Sequence, residues 1–173
     1  MESFSVRELR STDTEALLAF ETFNRQWFES HIDGRAPSFY SLPGVTEHIQ
    51  GYLADFANGV WHPFVIEDTY KKIVGRANLK GIDATQGVAE VGYRVAQEAC
   101  GRGLATMALQ HLIQQARAHW QLRQLVAYVY PANVASQKVL ERCGFVADQP
   151  AADSSAGQER RLVLSIPVNQ SAR

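Results

Sequence analysis

The chain has 173 residues, 46% hydrophobic and 20% charged, with a formal net charge of −1. That length suits a single domain with a sizeable core, expected over residues 1–168, with a frayed tail at 169–173. The near-zero charge argues against a general nucleic-acid binder, no apolar run approaches the ~20 residues of a membrane span, and two cysteines make no disulfide framework.

Charged residues Glu2, Arg7, Glu8 and Arg10 leave the N-terminal segment without an apolar signal core, so a reducing cytoplasm is expected. Residues 4–9 read as a short strand. Thr12 and Glu15 have capping-box spacing, and Ala16, Phe20, Phe23 and Trp27 then form one stripe, expected to pack in the core. Residues 29–44 are rich in turn formers and carry His31, Phe39 and Tyr40, which reads as a loop. A second helix is predicted over 46–57, with Ile49, Tyr52, Leu53 and Phe56 on one side.

Strands follow at 61–67 and 73–79, joined by a turn short enough to make them antiparallel. Residues 80–87 read as a loop and 88–95 as a central strand. A helix begins at Leu104, with apolar positions Ala105, Ala108, Leu109, Leu112, Ile113, Ala116 and Trp120. It leads to a strand at 125–130, which suggests a right-handed crossover between parallel strands. A short helix from Asn133 stops at Gly144. After a brief strand signal past Phe145, residues 149–158 read as a loop and 161–166 as the last strand. The fold class is therefore α/β, a mixed and partly antiparallel sheet flanked by helices.

The helix from Leu104 is preceded by Cys100-Gly101-Arg102-Gly103. Glycines at a helix start admit a ligand close to the backbone, and the free N–H groups there favour an anion, usually phosphate. Arg102 adds positive charge. From residue 99 to 140 there is no Asp or Glu, while Arg102, Arg117, Arg123 and Lys138 lie inside, which suits a polyanionic ligand. A dinucleotide fold would want an acid about twenty residues on, and a Walker loop would want Gly-Lys-Ser/Thr; neither is present.

Gly101-x-Gly103-x-Ala105 resembles the pyrophosphate loop of the GNAT superfamily of N-acetyltransferases. Asn133-x-x-Ser136-x-x-Val139-Leu140-x-x-x-Gly144-Phe145 resembles that superfamily's second motif, and is similar to the ribosomal-protein-alanine acetyltransferase branch. With Glu90-Val91-Gly92-Tyr93-Arg94-Val95, the match spans roughly residues 88–148. The resemblance implies a GNAT fold whose strands at 88 and 125 splay apart to admit the co-substrate acetyl-CoA. Backbone groups of Tyr93, Arg94 and Val95 would hold pantetheine, with Asn133 as a further contact. Cys100, Gly101, Arg102, Gly103, Leu104, Ala105 and Thr106 would hold the diphosphate. The family usually has Gln or Arg where this chain has Cys100.

Acetyl transfer to an amine needs a base, donors for the developing oxyanion, and a proton for the departing thiolate. The acid-free run leaves Glu90 and Asp148 as candidate bases, with Glu90 favoured; either could instead be an ordinary strand carboxylate. Ser136 is the proton donor by resemblance, and a helix-start hydroxyl otherwise. Many relatives use a tyrosine seven residues after the Asn, where this chain has Leu140. Cys100, near Arg102 at a helix start, is expected to have a lowered pKa but no nucleophilic role. No metal site is expected. The acceptor is a protein N-terminal α-amine, a peptide or a small molecule. Alternatives are a polyamine acetyltransferase and a non-catalytic CoA-binding sensor. A monomer or homodimer is expected.

Overall fold

A computed structural model describes residues 3–148 and 159–167. The predicted loop at 149–158 and the predicted tail at 169–173 lie outside the described residues. Strands β1 (Ser5–Glu8), β2 (His62–Glu67), β3 (Ile73–Asp83), β4 (Val88–Val95), β5 (Gln124–Val129), β6 (Val146–Ala147) and β7 (Arg160–Ser165) form one sheet. Its order is β1-β2-β3-β4-β5-β7-β6. The helices are α1 (Thr14–Phe23), α2 (Arg25–Glu29), α3 (Leu42–Ala57), α4 (Leu104–Ala118) and α5 (Val134–Arg142).

Among the described residues, only β4 and β5 pair in parallel, joined by the α4 crossover. β2 is buried along its whole length and β3 over its first seven residues, as befits strands covered on both faces. β3 also continues to Asp83, so the first half of the predicted loop at 80–87 is strand. α1 and α3 cover one face, where Arg76 of β3 reaches Glu21 of α1 and His48 of α3. α4 covers the other face, where Phe64 of β2 meets His111 edge-on at 4.7 Å. Leu17, Phe20, Val45 and Ile49 fill the first layer, and Leu109, Leu112 and Ala116 the second.

Two local expectations give way. The stripe from Ala16 to Trp27 is not one helix: the chain breaks at Asn24 (φ −100°), which separates α1 from α2. Asn24 donates its side-chain amide to Phe20 O, and its Oδ1 accepts the Gln97 backbone N–H at 3.0 Å. The change of phase leaves Phe23 73% exposed while Phe28 goes inside. The capping box of Thr12 and Glu15 does not form either. Asp13 takes the Arg10 backbone N–H at 2.7 Å and both ends of the Arg7 guanidinium, and Arg7 also reaches Glu67.

Candidate active site

The parallel ladder of β4 and β5 has three residue pairs, Val88 with Gln124, Ala89 with Leu125 and Glu90 with Val126. Beyond them the strands part. A cleft of about 940 Å³ opens there, walled by β4 from Glu90 to Val95, β5 from Ala127 to Val129 with Tyr130 just beyond it, the start of α4 and one face of α5. It passes through the sheet, so side chains from both layers reach it.

At one end lies the turn into α4. Gly101 (φ 80°) and Gly103 (φ 77°) are both left-handed, a conformation that penalises a side chain. A Cβ built on either glycine would meet nothing within 4 Å, so the turn has an open side. Gly103 is the α4 N-cap and offers no side-chain cap; the first backbone amide turned inward is Met107 N, to Gly103 O at 3.0 Å. The amides of Leu104, Ala105 and Thr106 therefore point out at the positive end of a fifteen-residue helix. Arg102 is exposed between the glycines, and Gly101, Gly103, Leu104, Ala105 and Thr106 all line the cleft. This is the backbone arrangement that holds a diphosphate.

Cys100 also lines the cleft, but burial pushes its thiol up rather than down, and its Sγ lies 3.4 Å from Ala96 O. The lowered pKa expected from Arg102 is thus corrected: partial removal from water is what moves this thiol.

Glu90, Tyr93, Asn133 and Ser136 are brought together around the same opening. Asn133 Oδ1 caps α5 by accepting the Ser136 backbone N–H at 3.2 Å, so only its NH2 group remains to serve a ligand. The Ser136 hydroxyl lies 3.0 Å from the Tyr93 hydroxyl. Burial pushes the Tyr93 phenol up, so it stays protonated at neutral pH. Glu90 faces Lys80 across the β3–β4 ladder. The Lys80 chain lies over Gly92, so close that a Cβ there would sit 2.4 Å from Lys80 Cε. Asp148 is placed elsewhere: it is exposed, ion-paired with Arg161, and absent from the cleft wall.

From the segments at 29–44 and 80–87, His31, Asp33 and Arg35 of the first and Lys80 of the second line the cleft. Phe39 and Tyr40 stand behind it, under the Arg35 and Arg25 guanidinium groups respectively. Sequence reasoning missed the Tyr93 side chain and a set of charged groups on β3 and β4. The signal was present as polar residues alternating through an otherwise apolar strand, Arg76-x-Asn78-x-Lys80, opposite Glu90-x-Gly92-x-Arg94. No cluster of three or more metal-ligand side chains occurs among the described residues.

The family described as "Acetyltransferase (GNAT) domain" matches residues 4–146. The Bacillus subtilis (strain 168) protein "Probable N-acetyltransferase YjcK" is 28% identical over 142 residues, covering 81% of this chain and 78% of its own. The ribosomal-protein-S5-alanine acetyltransferase of Vibrio fischeri superposes with a TM-score of 0.85 at 22% identity, covering 98% of this chain and 96% of that one. The microcin C7 self-immunity acetyltransferase MccE, solved with acetyl-CoA and AMP, superposes with a TM-score of 0.81 at 20% identity, covering 94% and 92%.

Proposed function

Since the chain belongs to the GNAT acetyltransferase family, we propose that it transfers the acetyl group of acetyl-CoA directly to a primary amine held in the same cleft. The observation that carries this reading is the parting of β4 from β5 beside the glycine turn at Gly101 and Gly103. The opening is the right kind of slot for an extended pantetheine arm, and the turn for its diphosphate. On this reading residues 1–168 act as one domain in the cytoplasm, as a monomer or homodimer.

The backbone of Tyr93, Arg94 and Val95 holds pantetheine by strand-like hydrogen bonds, with the Asn133 NH2 group as a further donor. Glu90 takes a proton from the incoming amine, directly or through a water. The amine nitrogen attacks the thioester carbonyl, the C–N bond forms, and the C–S bond breaks. Ser136 gives its proton to the leaving thiolate and regains one from solvent. Tyr93 fixes the Ser136 hydroxyl from the opposite wall. An α-amine, with a pKa near ~7.7–8, asks less of such a base than a lysine at ~10.4. This favours a protein N-terminus, a peptide or a small α-amine as acceptor.

Acetyl-CoA turnover over a panel of α-amines, lysine side chains and polyamines, read by mass of the acetylated product, tests the reading. Turnover with α-amines is expected. Tight CoA binding without turnover of any amine would instead make this a CoA-binding sensor.

A further inference from the structure

On the α1–α3 face of the sheet, the polar row of β3 and β4 ends in a gathering of guanidinium groups. Arg76 Nη1 donates to Glu21 Oε1 at 2.9 Å, and Arg94 Nη1 donates to Glu21 Oε2 at 3.2 Å. Arg35 Nη2 stands 3.7 Å from Glu21 Oε1. Glu21 is one carboxylate against three cations. Asp33 and Glu159 also line the cleft, where both act on Tyr130. The remaining neighbour, His48, accepts from Arg76 Nη2 at 2.8 Å and carries no charge. Burial, then Arg76, Arg35 and Arg94, push its pKa to about 3.

The donors are also incompletely used. Arg35 Nε and Arg76 Nε are buried and have no hydrogen-bond partner among the described residues. Arg76 is only 2% exposed, yet it lines the cleft with Arg35 and Arg94. Phe28, Phe39 and Tyr52 lie beneath the three guanidinium planes and hold them in place. A fixed set of guanidinium forks with spare N–H groups is matched to an oxyanion. A polyamine would meet repulsion at the same point.

We propose that the acceptor carries an anionic oxygen group, a carboxylate or a phosphate, which docks against Arg35, Arg76 and Arg94 while its amine reaches Glu90. The proposal rests on the transferase reading above. Arg94 lies four residues along β4 from Glu90, about 13 Å at ~3.3 Å per residue. With about 3 Å taken up by the hydrogen bond at each end, roughly 7 Å or two residue steps remain, so in a peptide acceptor the acid falls near the third residue.

The test uses four peptide amides: Ser-Ala-Asp-Ala, Ser-Ala-Asn-Ala, Ser-Ala-Lys-Ala, and the first with phosphoserine in place of its acid. Expected is a kcat/KM for the better acidic peptide at least tenfold above that of its asparagine twin. The better of the two names the anion. In Arg35→Gln, with unchanged melting temperature, that preference falls severalfold while the asparagine peptide is little affected. Turnover of all four at similar rates overturns this inference and leaves the transferase reading standing. Calorimetry of the N-acetylated peptides against the CoA complex supplies a readout without turnover. If no amine is acetylated but the acidic products still bind more tightly, the anion site stands and the transferase reading falls. Equal binding of acidic and neutral products, with no turnover, overturns both.

Discussion

The hydroxyls of Tyr93 and Ser136 lie 3.0 Å apart, joining β4 to α5 across the mouth of the cleft. Ser136 stands on the first turn of a helix capped by Asn133, and Tyr93 stands on a strand, so two rigid elements fix the serine rotamer. If Ser136 protonates the thiolate, Ser136→Ala should lower kcat by ~10²-fold or more. Tyr93→Phe removes one hydrogen bond and should lower it about fivefold. The two losses should not multiply: in a double-mutant cycle, Tyr93→Phe should add little once Ser136 is alanine. Full multiplication would mean that Tyr93 acts independently.

Glu90 and Asp148 are separated by their surroundings. Glu90 lines the cleft, while Asp148 pairs with Arg161 at the surface. Glu90→Gln should depress kcat at neutral pH and remove the limb of the pH–rate profile that reports the base. Higher pH should restore part of the rate, because more of the amine is then neutral. Asp148→Asn should leave the profile intact and alter stability by ~1 kcal/mol at most. Loss of the limb in Asp148→Asn alone would reassign the base.

At Gly103, φ is 77° and the added side chain would project into open space. Aspartate and asparagine there share shape and backbone strain and differ in charge. If the turn holds the diphosphate, Gly103→Asp should therefore weaken CoA at least tenfold more than Gly103→Asn, because the carboxylate would face that anion at a helix N-terminus. Calorimetry with CoA reads the difference. Equal affinities would move the phosphate site elsewhere.

Acid should destabilise the fold well before its carboxylates titrate. His62 is fully buried and accepts from Trp120 Nε1 at 2.9 Å; burial first, then His119 and His111, bring its pKa down to about 4. His48 falls to about 3 for the reasons given above. Both values lie below that of an unfolded histidine, near ~6.5, so below that pH the unfolded chain binds more protons. Stability is therefore fully present above ~6.5 and declines as pH falls toward 4. His62 alone costs about 3 kcal/mol by that point. Asp13 and Glu67, both held below the usual carboxylate range by Arg7 against the opposing pull of burial, extend the decline to lower pH. Urea titrations at pH 7.5 and 4.5 measure it. An unchanged midpoint would show that these histidines are protonated in the folded state.

Elements whose pattern is local were legible in the sequence. The apolar spacing of α4, the glycine turn before it and β4 all lie where periodicity places them. The backbone part of the site is consequently readable from one stretch of chain. The cationic part is not, because Glu21, Arg35, Arg76 and Arg94 come from α1, a loop, β3 and β4, and no short-range pattern couples them. The misplaced Phe23 has a similar origin. The helical phase is reset by Asn24, whose partner amide is Gln97, seventy-three residues away.

The three-pair seam between β4 and β5 gives this sheet two inner edges as well as its outer ones. The outer ones are blunted by shortness: β1 has four residues and β6 two. The inner ones face each other across the cleft, and among the described residues their main-chain groups have no sister strand. A pantetheine arm lying between them would stitch two half-sheets, β1 to β4 and β5 to β7, into one cooperative unit. Amide hydrogen exchange in residues 91–95 should therefore slow when CoA is added, together with a rise in melting temperature that follows ligand concentration. The same seam is where the empty protein would first come open, and a second chain's strand would be the natural intruder.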